Sequence, residues 1–168
     1  MQGAPQYGSG SRRDYLLTAL AVVAVGAAGC IGDDDDEEPV DERTPEEVTV
    51  DWVSPADNVD DEADIVDWTG EASIVIEHGH TGDEGNYISE PGIVRIDSGT
   101  EVTWEWVSHG HTVTEVIDEG ATIEDWDDHD EVEGEGYEHT TTFDEPGIVI
   151  YECIPHRAQF HRGAIIVE

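Results

Sequence analysis

At 168 residues the chain has room for one ordinary domain with additions, and its six arginines, absence of lysine and 42 acidic residues leave a formal charge of −36. Such a surface excludes nucleic acid as a partner, because phosphate backbones are bound by cationic side chains. The carboxylates are scattered through every segment. That favours adaptation of the whole surface to very high salt, as in an extreme halophile, over a docking face for a cationic partner; at molar salt the Debye length is about 3 Å and self-repulsion is screened.

In chain order, Ser11-Arg12-Arg13-Asp14-Tyr15-Leu16 resembles a twin-arginine export signal and leads into an apolar run from Leu16 to Ala28 that is too short to span a bilayer. Ala27-Ala28-Gly29-Cys30 resembles a lipobox, which would make Cys30 the lipidated first residue of the mature protein. The alternative is an uncleaved hydrophobic anchor ending in an ordinary cysteine. Either version puts the protein outside the cell and attached to the outer face of the cytoplasmic membrane. The expected divisions are a signal peptide over residues 1–29, an acidic tether over 30–48 and a folded domain over 49–168. With Cys30 lipidated, Cys153 has no partner, so a disulfide is excluded and metal ligation becomes the reason for an exported free cysteine.

The tether, with its run from Asp33 to Glu38, has almost no apolar content and repels itself into an extended form. Between Val48 and Asp67 the sparse Val50, Trp52, Val53, Ile65 and Val66 predict a strand or helical turn packed on the domain. After Gly70 the pattern becomes short β-rich runs broken by Gly, Pro and Asp: Ala72 to Glu77, Tyr87 to Ile96, Thr100 to Val107, His111 to Ile117, His139 to Phe143, Gly147 to Cys153 and Gly163 to Val167. About seven or eight strands over this length predict an all-β sandwich. Val102, Trp104 and Trp106 alternate with polar residues and belong to its core. The acidic stretch from Asp118 to Gly136 reads as a long loop with room for a short helix, and no chemistry is assigned to its His129.

Cys153-Ile154-Pro155-His156, with His111 upstream, unites one thiolate and two imidazoles. The two-residue period puts Cys153 on the same face as Tyr151 and Val149, and Pro155, which cannot extend a ladder, lets a tight loop return His156 toward the sulfur. A soft thiolate with two imidazoles suits copper in both oxidation states, and a low ligand number limits rearrangement when an electron arrives. A Cys-x-x-His pair is a weak signal by itself. At a strand end, in an exported chain with no other free cysteine, it is much stronger.

Gly110-His111-Thr112-Val113 and Tyr151-Glu152-Cys153-Ile154-Pro155-His156-Arg157-Ala158 resemble the two ligand segments of plastocyanin-like blue copper proteins, and within that family the halocyanin type. The likeness extends over roughly residues 50–168, through Val66-Asp67-Trp68-Thr69-Gly70, Ser98 to Trp106 and the closing Arg162 to Glu168. It implies a Greek-key cupredoxin fold, one copper ion cycling between Cu(I) and Cu(II), and a one-electron carrier. It matches His111, Cys153 and His156 to the family's ligands and puts His161 where the family has its axial methionine. The only methionine of this chain is Met1. An imidazole there would bind Cu(II) more strongly than a thioether and lower the reduction potential; the alternative is that His161 turns to solvent.

Around this set, the Thr112 N–H is a candidate donor to the Cys153 sulfur, Gln159 is a weaker axial candidate, Phe160 is expected to shield the metal and Arg157 to offset negative charge. His109 is expected in an exposed loop. His78 and His80 read as a surface pair, with an auxiliary copper or nickel site as the alternative. The favoured function is a monomeric, membrane-attached electron carrier that serves peripheral or membrane-bound redox proteins and has no small-molecule substrate. An enzyme is not expected, since a copper oxidase or reductase needs a second copper centre with further histidine clusters. The rival is a redox-inactive copper or zinc binding or delivery protein with a His3Cys site at His111, Cys153, His156 and His161.

Overall fold

The computed structural model describes residues 43–56, 58–82 and 85–168, so the expected signal peptide 1–29 and the expected lipidation at Cys30 lie outside the described residues. Thr44 opens helix α1 (Pro45–Val53) with a capping box. Its hydroxyl accepts from the Glu47 amide at 3.2 Å and the Glu47 carboxylate accepts from the Thr44 amide at 2.8 Å. Pro45 sits in the first turn, where its missing N–H costs nothing, and Glu46 and Glu47 lie at the positive end of the helix dipole. Val48, Thr49, Trp52 and Val53 are buried. The last residues assigned to the tether, 45–48, are therefore helical, because acidic residues that read as self-repelling chain are capping groups.

Among the described residues ten strands follow: β1 (Val66–Asp67), β2 (Ser73–Gly82), β3 (Gly85–Glu90), β4 (Ile93–Ile96), β5 (Glu101–Trp106), β6 (His111–Glu115), β7 (His129–Glu133), β8 (Glu138–Thr142), β9 (Gly147–Glu152) and β10 (Arg162–Val167). They form a Greek-key β-sandwich of two sheets, ordered β1-β4-β10-β9-β6-β7 and β3-β2-β5-β8. The count exceeds the seven or eight expected for three reasons. The run from Tyr87 to Ile96 divides at Pro91-Gly92 into β3 and β4, which belong to different sheets. A short β1 pairs in parallel with β4. Finally, the acidic stretch after Asp118 carries β7 rather than a helix. β7 pairs antiparallel with β6 at the sheet edge, where polar residues protect an open ladder.

The six-stranded sheet is covered on both faces. On one side Val149, Tyr151, Ile165 and Val167 meet Ile76, Val102, Trp104 and Trp106 of the other sheet. On the other side Ile148, Ile150 and Ala164 meet Val48, Trp52 and Val53 of α1. Two-sided burial explains the near-continuous apolar runs of β9 and β10. In β5 the single alternation predicted from Val102, Trp104 and Trp106 is present, all three fully buried.

Candidate metal centre

One end of the sandwich collects the sequence-predicted site. His111 opens β6, Cys153 follows the last residue of β9, His156 lies in a 3-10 turn (Ile154–Gln159), and His161 immediately precedes β10. The chain between the two strands closes on itself: the Cys153 amide donates to the His161 carbonyl at 2.9 Å and the His156 amide to the Cys153 carbonyl at 3.0 Å. Phe160 turns the corner with φ of 54°. A nine-residue connection is thus held from within, which fixes all three of its candidate ligands at once.

The donor atoms converge. His156 Nδ1 is 3.3 Å and His111 Nδ1 3.7 Å from Cys153 Sγ, and the two Nδ1 atoms are 3.1 Å apart. With His161 included, the four ligand atoms all lie within 4.8 Å of one another. Metal–nitrogen and metal–sulfur bonds of roughly 2.0 to 2.3 Å separate neighbouring donors of a four-coordinate ion by about 3.4 Å, so this spacing fits a single ion. His161 supplies a second sign: it is fully buried, and neither of its ring nitrogens has a hydrogen-bond partner. The Ile88 backbone lies close to it without making a hydrogen bond. Leaving two such atoms dry and unpaired is costly unless something else engages one of them.

The surroundings set protonation. Ser108 donates its one hydroxyl proton to the Gly79 carbonyl at 2.7 Å, so its oxygen accepts from His111 Nε2 at 2.8 Å. His111 therefore keeps its lone pair on Nδ1, facing the sulfur. Its ring lies over Gly79, whose φ is +85° and where an added Cβ would fall 2.6 Å from the imidazole. Burial, followed by the neighbouring His156 and His109, pushes His111 down to about 4. Burial also lowers His156, and burial followed by His78, His111 and His156 lowers His161 well below the usual histidine range. Cys153 is raised by burial, which outweighs the Thr112 N–H that reaches its sulfur at 3.4 Å. Three neutral imidazoles and a masked thiol are ready for a cation that displaces one proton.

Several of the peripheral expectations need correction. His78 is no surface residue: it is fully buried, its Nε2 lies 2.9 Å from the Thr112 carbonyl and its Nδ1 3.0 Å from Ser89 Oγ. His80 is half-exposed beside Glu77. With both His78 nitrogens engaged and a register shift between the two histidines, the pair cannot form an auxiliary site. The signal was available, since Ile74, Ile76 and His78 continue one inward-facing alternation along β2. Phe160 is exposed with the Arg162 guanidinium 5.2 Å from its ring, so it shields the site less than expected. Arg157 pairs with Glu152 at 2.6 Å, and His109 is exposed near Glu135.

A two-sheet Greek-key sandwich that gathers a cysteine and two histidines at one end, from β6 and from the loop between β9 and β10, defines a cupredoxin. The chain belongs to the plastocyanin/azurin family of copper-binding proteins, whose profile matches residues 76–168. It is 36% identical over 163 residues to halocyanin from Natronomonas pharaonis, covering 94% of this chain and 98% of that protein. Among solved structures it is similar to pseudoazurin from Methylobacterium extorquens AM1, with a TM-score of 0.48 and 22% identity over 56% of this chain and 74% of that one. It is also similar to plastocyanin from Dryopteris crassirhizoma, with a TM-score of 0.48 and 20% identity over 56% of this chain and all of that one.

Proposed function

We propose that the protein is a one-electron carrier in which His111, Cys153, His156 and His161 hold a single copper ion, and that it works at the outer face of the cell membrane. Bound copper supplies a Cu(I)/Cu(II) couple. The chain supplies a fixed donor set. Its loop is closed by backbone hydrogen bonds, its sulfur accepts from Thr112 and its first imidazole is locked by Ser108, so little has to move when charge changes. His156 is the partly exposed ligand, packed on Tyr87 at 4.6 Å between ring centroids, and is the electron port. The observation that carries the four-ligand reading is the buried, unpartnered His161 beside the other three donors. Attachment through a lipid on Cys30 is supported by the sequence pattern, and the bound copper by the family.

The same donor set favours a second reading, a redox-inactive copper or zinc binding protein, since three imidazoles and a thiolate also suit tetrahedral zinc. Loading the purified protein with Cu(II) in high salt and recording visible, EPR and voltammetric responses separates the two. A carrier shows intense thiolate-to-copper charge transfer and reversible cycling. A colourless or irreversibly reduced protein overturns that assignment. His161→Met should give a bluer site with a higher potential; an unchanged spectrum would remove His161 from the ligand set.

A further inference from the structure

We infer that His78 is a positioning residue that fixes the ring plane of His161 at the metal centre. This rests on the four-ligand reading above and concerns how its fourth ligand is held. The two imidazoles are stacked, with centroids 4.1 Å apart and planes 22° from parallel. Metal-bound histidines are usually oriented by a hydrogen bond on their second nitrogen, and His161 has none. What defines its plane is therefore ring packing: His78 on one face, with the His111 ring edge-on at 4.9 Å.

His78 is built as a fixed platform. Its Nε2–H donates to the Thr112 carbonyl, which can only accept, so Nδ1 of the neutral ring accepts from the Ser89 hydroxyl. Trp106 at 5.2 Å and Tyr151 at 6.3 Å confine the ring further. No lone pair remains on His78 for a metal. The terminal torsion of an imidazole is broad when nothing restrains it. Because the lone pair of His161 lies in its ring plane, the tilt imposed by His78 decides how squarely that lone pair meets an ion, and so how much this ligand weakens the metal–thiolate bond.

The Thr112 carbonyl gives His78 a rival route to the site, since the Thr112 amide also reaches the Cys153 sulfur. A double-mutant cycle separates the two. His78→Gln removes the stacked ring and keeps an amide able to donate to Thr112; His78→Phe keeps a ring and removes the donor. Each is made with His161 and with His161→Met, loaded with Cu(II) for visible and EPR spectra and midpoint potential, and with Co(II) for its d–d bands, which report coordination without redox. With His161 present, His78→Gln should shift the charge-transfer bands, the potential and the d–d bands, and His78→Phe should leave all three close to the parent. In the methionine background neither should shift them. Equal shifts in both backgrounds, no shift in either, or a His78→Phe shift as large as that of His78→Gln overturns the inference. Loss of charge transfer in the parent protein would instead overturn the carrier assignment, and the Co(II) arm would still decide the role of His78.

Discussion

Ser108 decides which nitrogen of His111 faces the sulfur, and it does so with one hydrogen atom. Because that hydrogen is committed to the Gly79 carbonyl, the Ser108 oxygen can only accept from Nε2, and Nδ1 is left as the free lone pair. Ser108→Ala leaves Nε2–H without an acceptor in a buried place and releases the tautomer. The expected outcome is metal binding weakened about 10- to 100-fold, as found for outer partners of ligating histidines. Competition against a chelator of known affinity measures it, and unchanged affinity would place the control of the tautomer elsewhere. At this scale the sequence was informative where chemistry is carried by residue type: Cys153, His156, His111 and His161 stand out because a thiol and imidazoles in a chain that reads as exported need a reason. Ser108 and Gly79 did not stand out, and His78 was read as half of a surface pair although it continues the inward alternation of Ile74 and Ile76. A serine three residues from a histidine, or a glycine under its ring, has meaning only once β2 is folded beside β6.

Helix α1 illustrates how an element can hide in composition. Thr44-Pro45-Glu46-Glu47 continues an acidic stretch, yet it is a capping box with proline in the first turn. Thr44→Ala removes the acceptor for the Glu47 amide and should cost about 1 kcal/mol. Thermal unfolding of the metal-free domain in high salt should show the loss as a lower Tm; an unchanged Tm would mean that packing alone holds the helix. The copper spectrum should be unaffected, because Thr44 lies at the opposite end of α1 from Trp52, which donates to the Tyr151 carbonyl at 3.3 Å and supports the Arg162 guanidinium 3.9 Å from its ring. Strands with a strict alternation or a continuous apolar run were legible, as β5, β9 and β10 show. β7 was not, because three of its five residues are acidic and only its pairing with β6 marks it as a strand. The break between β3 and β4 had a signal that the continuous reading passed over: Pro91-Gly92 is a turn dipeptide, and there the chain changes sheet.

The molecule as a whole is polar in its arrangement. Glu46, near the start of α1, pairs with Arg95, which also holds Glu168 at the chain end, while Trp52 at the other end of the helix lies by Arg162 and the metal loop. Helix α1 thus runs from the Arg95–Glu168 pairing to the metal loop. The metal end also controls how stability depends on pH without metal. His78 is held at about 3 and His111 at about 4, against an ordinary value near 6.5, and burial lowers His156 and His161 as well. Between those values and 6.5 the unfolded chain binds more protons than the folded one, so their contribution to stability is present above about pH 6.5 and is lost progressively as pH falls. His78, fully buried, accounts for at most about 1.4 kcal/mol per pH unit. Carboxylates titrate mainly below this range and molar salt screens their repulsion; Glu115, raised by burial, opposes the histidines there, and the four histidines outnumber it between pH 7 and 5. Cys153 has the opposite sign: its raised value makes its contribution present at neutral pH and lost as pH climbs past about 9. The metal-free protein in molar salt should therefore have its highest Tm between these limits, fall in Tm from pH 7 to 5, and fall less steeply when His78 is replaced by Phe. Bound metal, which requires neutral imidazoles and a thiolate, should raise the whole curve and move its acid limb to lower pH. A Tm for the metal-free protein that stays level from pH 7 to 5 would mean that these four histidines are protonated in the folded state at no cost, contrary to their burial among one another.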